Sequence, residues 1–299
     1  MNNNSSDSSE KPSRYVGEKH FVGSHLSDTD FAEIRDILFA GRGFDLDGYK
    51  DRCIKRRIAL RIRTLGYGNA SDYIRLLTLQ EKEQGELLEA ITIHVSQFFR
   101  NPTTFTVLEK TILPLLLKKR RGQVGGLRVW SVGCAGGEEP YSIALLCDEL
   151  CGPEDQVSII GSDVSADILK RAKAGLYEAH RLVEVPASVL HQYFTQEGLN
   201  YRLQSRICAK VRFIRHDILQ DRHFPRADLI LCRNMLIYFS RQEQERILRS
   251  LAATLAPEGL LVLGRAETLV NDCRELFTCV DPAERIYRKR NEATLVSNI

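Results

Sequence analysis

From Ser27 to about Phe99, apolar residues recur every three or four positions, the spacing of helices that bury one face. Ser27-Asp-Thr-Asp30 reads as a capping box, and Phe31, Ile34, Ile37 and Leu38 form the stripe of the helix it opens. The pattern predicts a second helix over Tyr49–Leu65, ended by Gly66, a short one near Ser71–Leu79 and another from Glu83 towards Val95. Asn101-Pro102 restarts a helix, with Asn as cap and Pro at the first helical position. It runs to Lys118–Arg121, where cations suit a helix C-terminus.

After Gly125-Gly126 the period changes. Buried-strand runs at Leu127–Val132, Val157–Gly161, Val211–Ile214, Asp228–Cys232 and Gly259–Leu263 alternate with amphipathic helices over Pro140–Leu150, Ser165–Ala174 and Arg241–Leu255. Such alternation predicts an α/β fold, a mostly parallel sheet with helices on both faces. Leu276–Val280 and Arg285–Arg288 flank Asp281-Pro-Ala-Glu and read as a hairpin closing one sheet edge. The irregular stretch 180–210 reads as an inserted subdomain. The expected division is a polar tail over 1–22, a helical domain over 23–95, a second domain over 96–290 and a short tail over 291–299.

Composition changes this picture little. In 299 residues, 42 basic side chains face 39 acidic ones, so only local clustering of charge carries information about partners. The eight cysteines include no Cys-x-x-Cys pair, which argues for reduced thiols and against a structural zinc site or a disulfide framework. The opening Met1-Asn-Asn-Asn-Ser-Ser lacks a positive leader and an apolar core, and no apolar run approaches the roughly 20 residues of a membrane helix. A cytoplasmic protein with no metal and no membrane insertion is expected. No coiled-coil signal demands more than a monomer.

The first predicted strand runs into Gly133-Cys-Ala-Gly-Gly137-Glu-Glu-Pro, whose glycines permit tight turning and close approach to a ligand. The spacing fits neither Gly-x-Gly-x-x-Gly nor a P-loop. Glu138 and Glu139 stand where a dinucleotide fold would place pyrophosphate; they would repel it and favour a ligand carrying ammonium or sulfonium groups. The competing reading is that they merely favour a helix start. Asp163 ends the second strand, where such folds grip ribose hydroxyls, or else caps the next helix. Asp217, with Ile218 beside it, suits an adenine ring and its amino group. Asn234 follows a buried strand, either as a ligand contact or as a turn former.

Glu138-Glu-Pro-Tyr-Ser142, Phe98-Phe-Arg-Asn101 and Cys232-Arg-Asn-Met-Leu-Ile-Tyr-Phe239 together resemble the chemotaxis receptor methyltransferase (CheR-type) family, in family order from about Ser27 to Arg288. The resemblance implies a small all-α domain before a Rossmann-like methyltransferase domain with an inserted β-subdomain. It implies S-adenosylmethionine as donor and S-adenosylhomocysteine as product. Carried over position by position, the cofactor contacts are His94, Ser96, Arg100, Glu138, Asp163, Asp217, Ile218, Asn234 and Met235. Several members show Asn-x-Thr where this chain has His94-Val-Ser96, and His94 could instead be an interdomain packing residue. The implied reaction is methyl esterification of glutamates on the cytoplasmic helical domain of a methyl-accepting receptor. Arg100 is assigned to orienting donor or acceptor, and Tyr238 to lining the transfer site; an interdomain salt bridge and plain core packing are the alternatives.

The helix over Tyr49–Leu65 carries seven cations against the single acid Asp51. Arg52, Arg56 and Arg63 recur at intervals of four and seven and share an outward face, and Arg57 is grouped with them as a candidate docking residue. A charge run of this kind is usually solvated; the resemblance gives it a receptor-docking purpose. Nucleic acid is not expected, because aromatics do not interleave with the cations. The competing classes are a non-catalytic S-adenosylmethionine-binding module and a methyltransferase for RNA or a small molecule. Some relatives tether a receptor tail through a loop of the β-subdomain. Here that segment is compact around Gly198, and tethering is not expected.

Overall fold

The structure, a computed structural model, describes residues 26–92, 96–221 and 224–291. Four helices come first: α1 (Asp28–Arg42), α2 (Asp51–Thr64), α3 (Ala70–Leu79) and α4 (Glu81–Ile91). Ser27 caps α1 by accepting from the amide of Asp30, and Gly43 ends it in the left-handed region, where a residue without Cβ is unstrained. Ile34, Leu38, Ile54, Ile58, Ile62, Tyr73, Leu77 and Leu87 are almost wholly buried and make this domain's own core.

The helix after Asn101 differs from expectation. Pro102–Val107 (α5) passes through a π-helical turn, Leu108–Ile112, into Leu113–Arg120 (α6). Asn101 stands at the N-cap position before Pro102, as expected, but its side chain makes no cap hydrogen bond. Its backbone is left-handed (φ 63°), and its side-chain oxygen accepts from Arg233 Nη2 at 3.0 Å instead.

Ten strands follow: β1 (Leu127–Val132), β2 (Val157–Asp163), β3 (Leu176–Glu178), β4 (Phe194–Glu197), β5 (Asn200–Leu203), β6 (Val211–Arg215), β7 (Ala227–Cys232), β8 (Leu255–Leu263), β9 (Phe277–Asp281) and β10 (Ile286–Lys289). Seven form one sheet in the order β6-β2-β1-β7-β8-β10-β9, parallel from β6 to β8 and closed by an antiparallel hairpin. Strand order reverses between β1 and β7, so the crevice beyond their carboxyl ends is the natural ligand site. Every residue of β7 is buried, as a central parallel strand covered on both faces requires. Helix α7 (Glu138–Leu150) covers one face and Arg241–Thr254 the other.

The inserted unit is an antiparallel three-stranded sheet, β3-β5-β4. It begins at Leu176, ahead of the expected residue 180, because left-handed Gly175 ends helix α8 (Ala166–Ala174) and turns the chain directly into β3. Among the described residues, no helix is long and apolar enough to cross a membrane, and no cluster of His, Cys, Asp or Glu is placed to hold a metal ion.

Candidate active site

The carboxyl ends of β1, β2, β6 and β7 open onto a cleft of about 710 Å³, walled on its far side by Tyr49, Ile54 and Ile91 of the helical domain. A more polar hollow of about 550 Å³ adjoins it, and Gly133, Ala135, Asn234 and Tyr238 line both.

Gly133 has φ +63°, and a Cβ there would stand 2.9 Å from Met235 Sδ, so glycine suits both the backbone conformation and the close packing on Met235 in the cleft lining. Asp163 is 7% exposed and accepts two backbone bonds at 3.0 Å, from Ala135 in the Gly-rich turn and from Ser165. The cap of α8 is Ser165, so Asp163 is released from that role and ties the turn to the end of β2. Asp217 accepts from the amide of Leu219 at 2.9 Å, and burial raises its carboxyl above the usual aspartate range. Ile218 lies beside it in the same wall.

Asn234 proves to be both turn former and cleft residue. Its backbone is left-handed (φ 59°), and its amide donates to Glu267 Oε2 at 2.8 Å. Glu267 is 3% exposed and also accepts from Gly264 at 2.7 Å; burial pushes its carboxyl up while these amides oppose the shift. It anchors the loop that carries Asn234, Met235 and Tyr238. Sequence reasoning missed it, although an acid three residues past Gly264 at the end of β8 is a visible signal.

Ser96 and Arg100 line the polar hollow, together with Glu139 and Arg233. The paired glutamates do not act as two bare charges. Glu139 accepts from Ser131 Oγ at 2.8 Å and from Arg233 Nη1 at 3.0 Å. Glu138 is wholly buried; its Oε1 pairs with Arg181, and its Oε2 has no partner. Helix geometry separates the two carboxylates because consecutive residues point about 100° apart, and each has recruited an arginine, so the repulsion expected from sequence is largely compensated. His94 lies outside the described residues.

Helix α2 also corrects one assignment. Arg52, Arg56 and Arg63 are exposed, but Arg57 is buried against the cleft wall. Its guanidinium stacks over the Tyr238 ring at 4.6 Å and donates to the carbonyl of Ile91. Lys50 donates from its amide to the Tyr238 carbonyl and from Nζ to that of Ile237, both at 2.8 Å. The helical domain therefore clamps the loop bearing Tyr238.

Residues 94–286 match the domain described as CheR methyltransferase, SAM binding domain. With the sheet order and the cleft at its switch point, this defines an S-adenosylmethionine-dependent methyltransferase of Rossmann-like fold. Residues 29–92 match the CheR methyltransferase all-alpha domain, and the chain belongs to the CheR methyltransferase family. A chemotaxis protein methyltransferase of Listeria monocytogenes is 35% identical over 81% of this chain and 91% of its own length. Chemotaxis protein methyltransferase 2 of Pseudomonas aeruginosa is 31% identical over 87% and 92%, and the chemotaxis protein methyltransferase of Salmonella typhimurium 31% over 84% and 87%.

The residues present fit the cofactor. Asp163, Asp217, Ile218, Asn234 and Met235 line the larger cleft, and Ser96 and Arg100 line the polar hollow beside it.

Proposed function

We propose that the protein esterifies glutamate side chains of a methyl-accepting chemotaxis-type receptor, converting S-adenosylmethionine to S-adenosylhomocysteine. The observation that carries this reading is the two-sided construction of α2. Its inner face holds Tyr238 at the cleft through Arg57, and its outer face presents Arg52, Arg56 and Arg63 to solvent. An acidic helix drawn to the outer face lies beside the cleft in which its carboxylate must react.

The chemistry asks little of the protein. A glutamate has an ordinary pKa near 4.3 and is already an anion at pH 7, so no general base is required. Bound S-adenosylmethionine would supply an electrophilic methyl carbon on its sulfonium; the glutamate carboxylate oxygen would bond to that carbon, and the C–S electron pair would leave with sulfur as the neutral thioether S-adenosylhomocysteine. The reaction annihilates one positive and one negative charge, so a cleft that excludes water favours it. Tyr238, which lines both hollows, and Arg100, which lines the polar one, are assigned to holding the acceptor oxygen in line, and proximity does the rest. Ser96, Glu138, Asp163, Asp217, Ile218, Asn234 and Met235 are assigned to the donor.

Transfer of tritium from labelled S-adenosylmethionine into base-labile esters on a receptor cytoplasmic fragment tests the reading. Label that is stable to mild base, or absent, contradicts it. The docking surface has its own test. Reversing charge in the triple variant Arg52→Glu, Arg56→Glu, Arg63→Glu is expected to raise KM for the receptor fragment by about tenfold or more, the range of steering by rim charges. The turnover number and S-adenosylhomocysteine affinity are expected to hold. Added salt moves wild-type KM in the same direction. An unchanged KM would make this face ordinary solvated surface.

A further inference from the structure

We propose that Arg181, on the inserted β-subdomain, joins Glu138 in binding the amino-acid end of the cofactor, Glu138 taking its ammonium and Arg181 its carboxylate. The proposal rests on the cofactor reading above and names the residues that would recognise its zwitterionic end.

Arg181 sits in a single 3-10 turn, Ala179–Leu182, fixed from several sides. Its carbonyl accepts from the amide of Phe98 at 3.0 Å, the carbonyl of His180 accepts from Gln97 at 3.3 Å, and Leu182 is buried in the main core. The subdomain thus holds the guanidinium against the Ser96–Phe98 segment, two residues of which line the polar hollow. All the hydrogen bonds of the Arg181 side chain run through Nη1, to Glu138 and, at 3.4 Å, to the carbonyl of Ser96. The rest of its donor fork is uncommitted, and the side chain remains 26% exposed.

The opposite charge is half satisfied. Glu138 Oε2 is buried and has no donor among the described residues, which leaves one oxygen of the carboxylate unsatisfied. The carboxylate also lies flat on the Gly-rich turn: a Cβ at Gly136 would stand 2.9 Å from both of its oxygens. A spare carboxylate oxygen beside a guanidinium with spare donors complements an α-amino acid zwitterion, and S-adenosylmethionine ends in one. Arg233, the buried arginine nearby, commits both of its terminal nitrogens, to Glu139, the Arg100 carbonyl and Asn101, and keeps only a buried Nε without a partner among the described residues. Arg181 is the counter-ion of Glu138, and on this proposal cofactor binding extends that ion pair into a linked set.

Calorimetric titration with two probes tests this. S-Adenosylhomocysteine carries the amino-acid end; 5′-methylthioadenosine keeps adenine, ribose and sulfur but lacks it. Arg181→Gln is expected to weaken S-adenosylhomocysteine by about tenfold to hundredfold, the scale of a lost charge-assisted bond. Binding of 5′-methylthioadenosine is expected to stay within about twofold, that probe having no group for Arg181. Arg181→Lys, which keeps the charge without the fork, is expected to fall between. Equal weakening of both probes by Arg181→Gln would assign Arg181 a purely structural role, and no change with either would also overturn the proposal. Failure of wild-type protein to bind either probe would instead overturn the cofactor reading on which the proposal rests.

Discussion

Asp163→Ala is expected to weaken S-adenosylhomocysteine binding by about hundredfold or more, the largest functional loss from a single change in this cleft. Two effects add. The carboxylate is the acceptor for the amides of Ala135 and Ser165, and removing it strands two donors beneath the Gly-rich turn, at roughly 1–3 kcal/mol each where they are buried. Ala135 already has a left-handed backbone (φ 48°), a conformation that costs a non-glycine residue and persists only where neighbours impose it. Without Asp163 the turn relaxes towards ordinary φ and closes on the space the nucleoside needs. On the proposed assignment, a contact to the ribose hydroxyls is lost as well. Calorimetry on Asp163→Ala and Asp163→Asn separates the two, since Asn retains one acceptor oxygen for the turn. Wild-type affinity in Asp163→Ala would remove Asp163 from the site.

The largest loss of stability is expected from Asp228→Ala. Asp228 is 3% exposed at the start of β7 and accepts from Arg128 through its amide (3.0 Å), Nε (3.0 Å) and Nη2 (2.9 Å), and also from Arg120. It therefore ties α6 and β1 to the central strand. Deleting it leaves two partly buried guanidiniums uncompensated, which costs about 3 kcal/mol. A denaturation midpoint that moves by less than about 1 kcal/mol equivalent would contradict this, since that is the scale of an exposed pair. The pH dependence follows. Burial alone would raise the Asp228 carboxyl, but Arg128 and Arg120 outweigh it and hold it below the ordinary value of 3.8. A depressed folded-state pKa gives stability that is complete above the unfolded value and lost as pH falls through the folded one. The gap between wild type and Asp228→Ala is therefore expected to be widest near neutrality and to shrink below about pH 4.

Local pattern carried most of the fold. The buried runs at Leu127–Val132 and Asp228–Cys232 read as strands because parallel central strands are apolar on both faces, and they are β1 and β7 within a residue. The capping box at Ser27 and the closing hairpin rest on similarly short-range signals. Pairings between distant segments were not legible. Arg233 stands inside a recognised motif, yet its partner Glu139 is 94 residues away, and Glu267 meets Asn234 across 33. No periodicity encodes such contacts. Arg57 is a different case: it lies three residues after Ile54 on the same helical stripe, so its inward orientation was visible in the spacing but overridden by its charge. Asn101-Pro102 marked the helix start correctly, but tertiary bonding to Arg233 claimed the Asn101 side chain that was expected to cap it. The two glutamates after Gly137 drew attention to a turn that borders the cleft, but their compensating arginines are far off in sequence and were not legible.

Titration of the intact protein with S-adenosylhomocysteine, and separately with NAD, most directly tests the claim that this cleft is built for a sulfonium nucleoside. The account predicts one binding site per chain for the thioether, competed by S-adenosylmethionine, and no measurable heat with the dinucleotide. Saturable NAD binding displaced by neither sulfur nucleoside would contradict it.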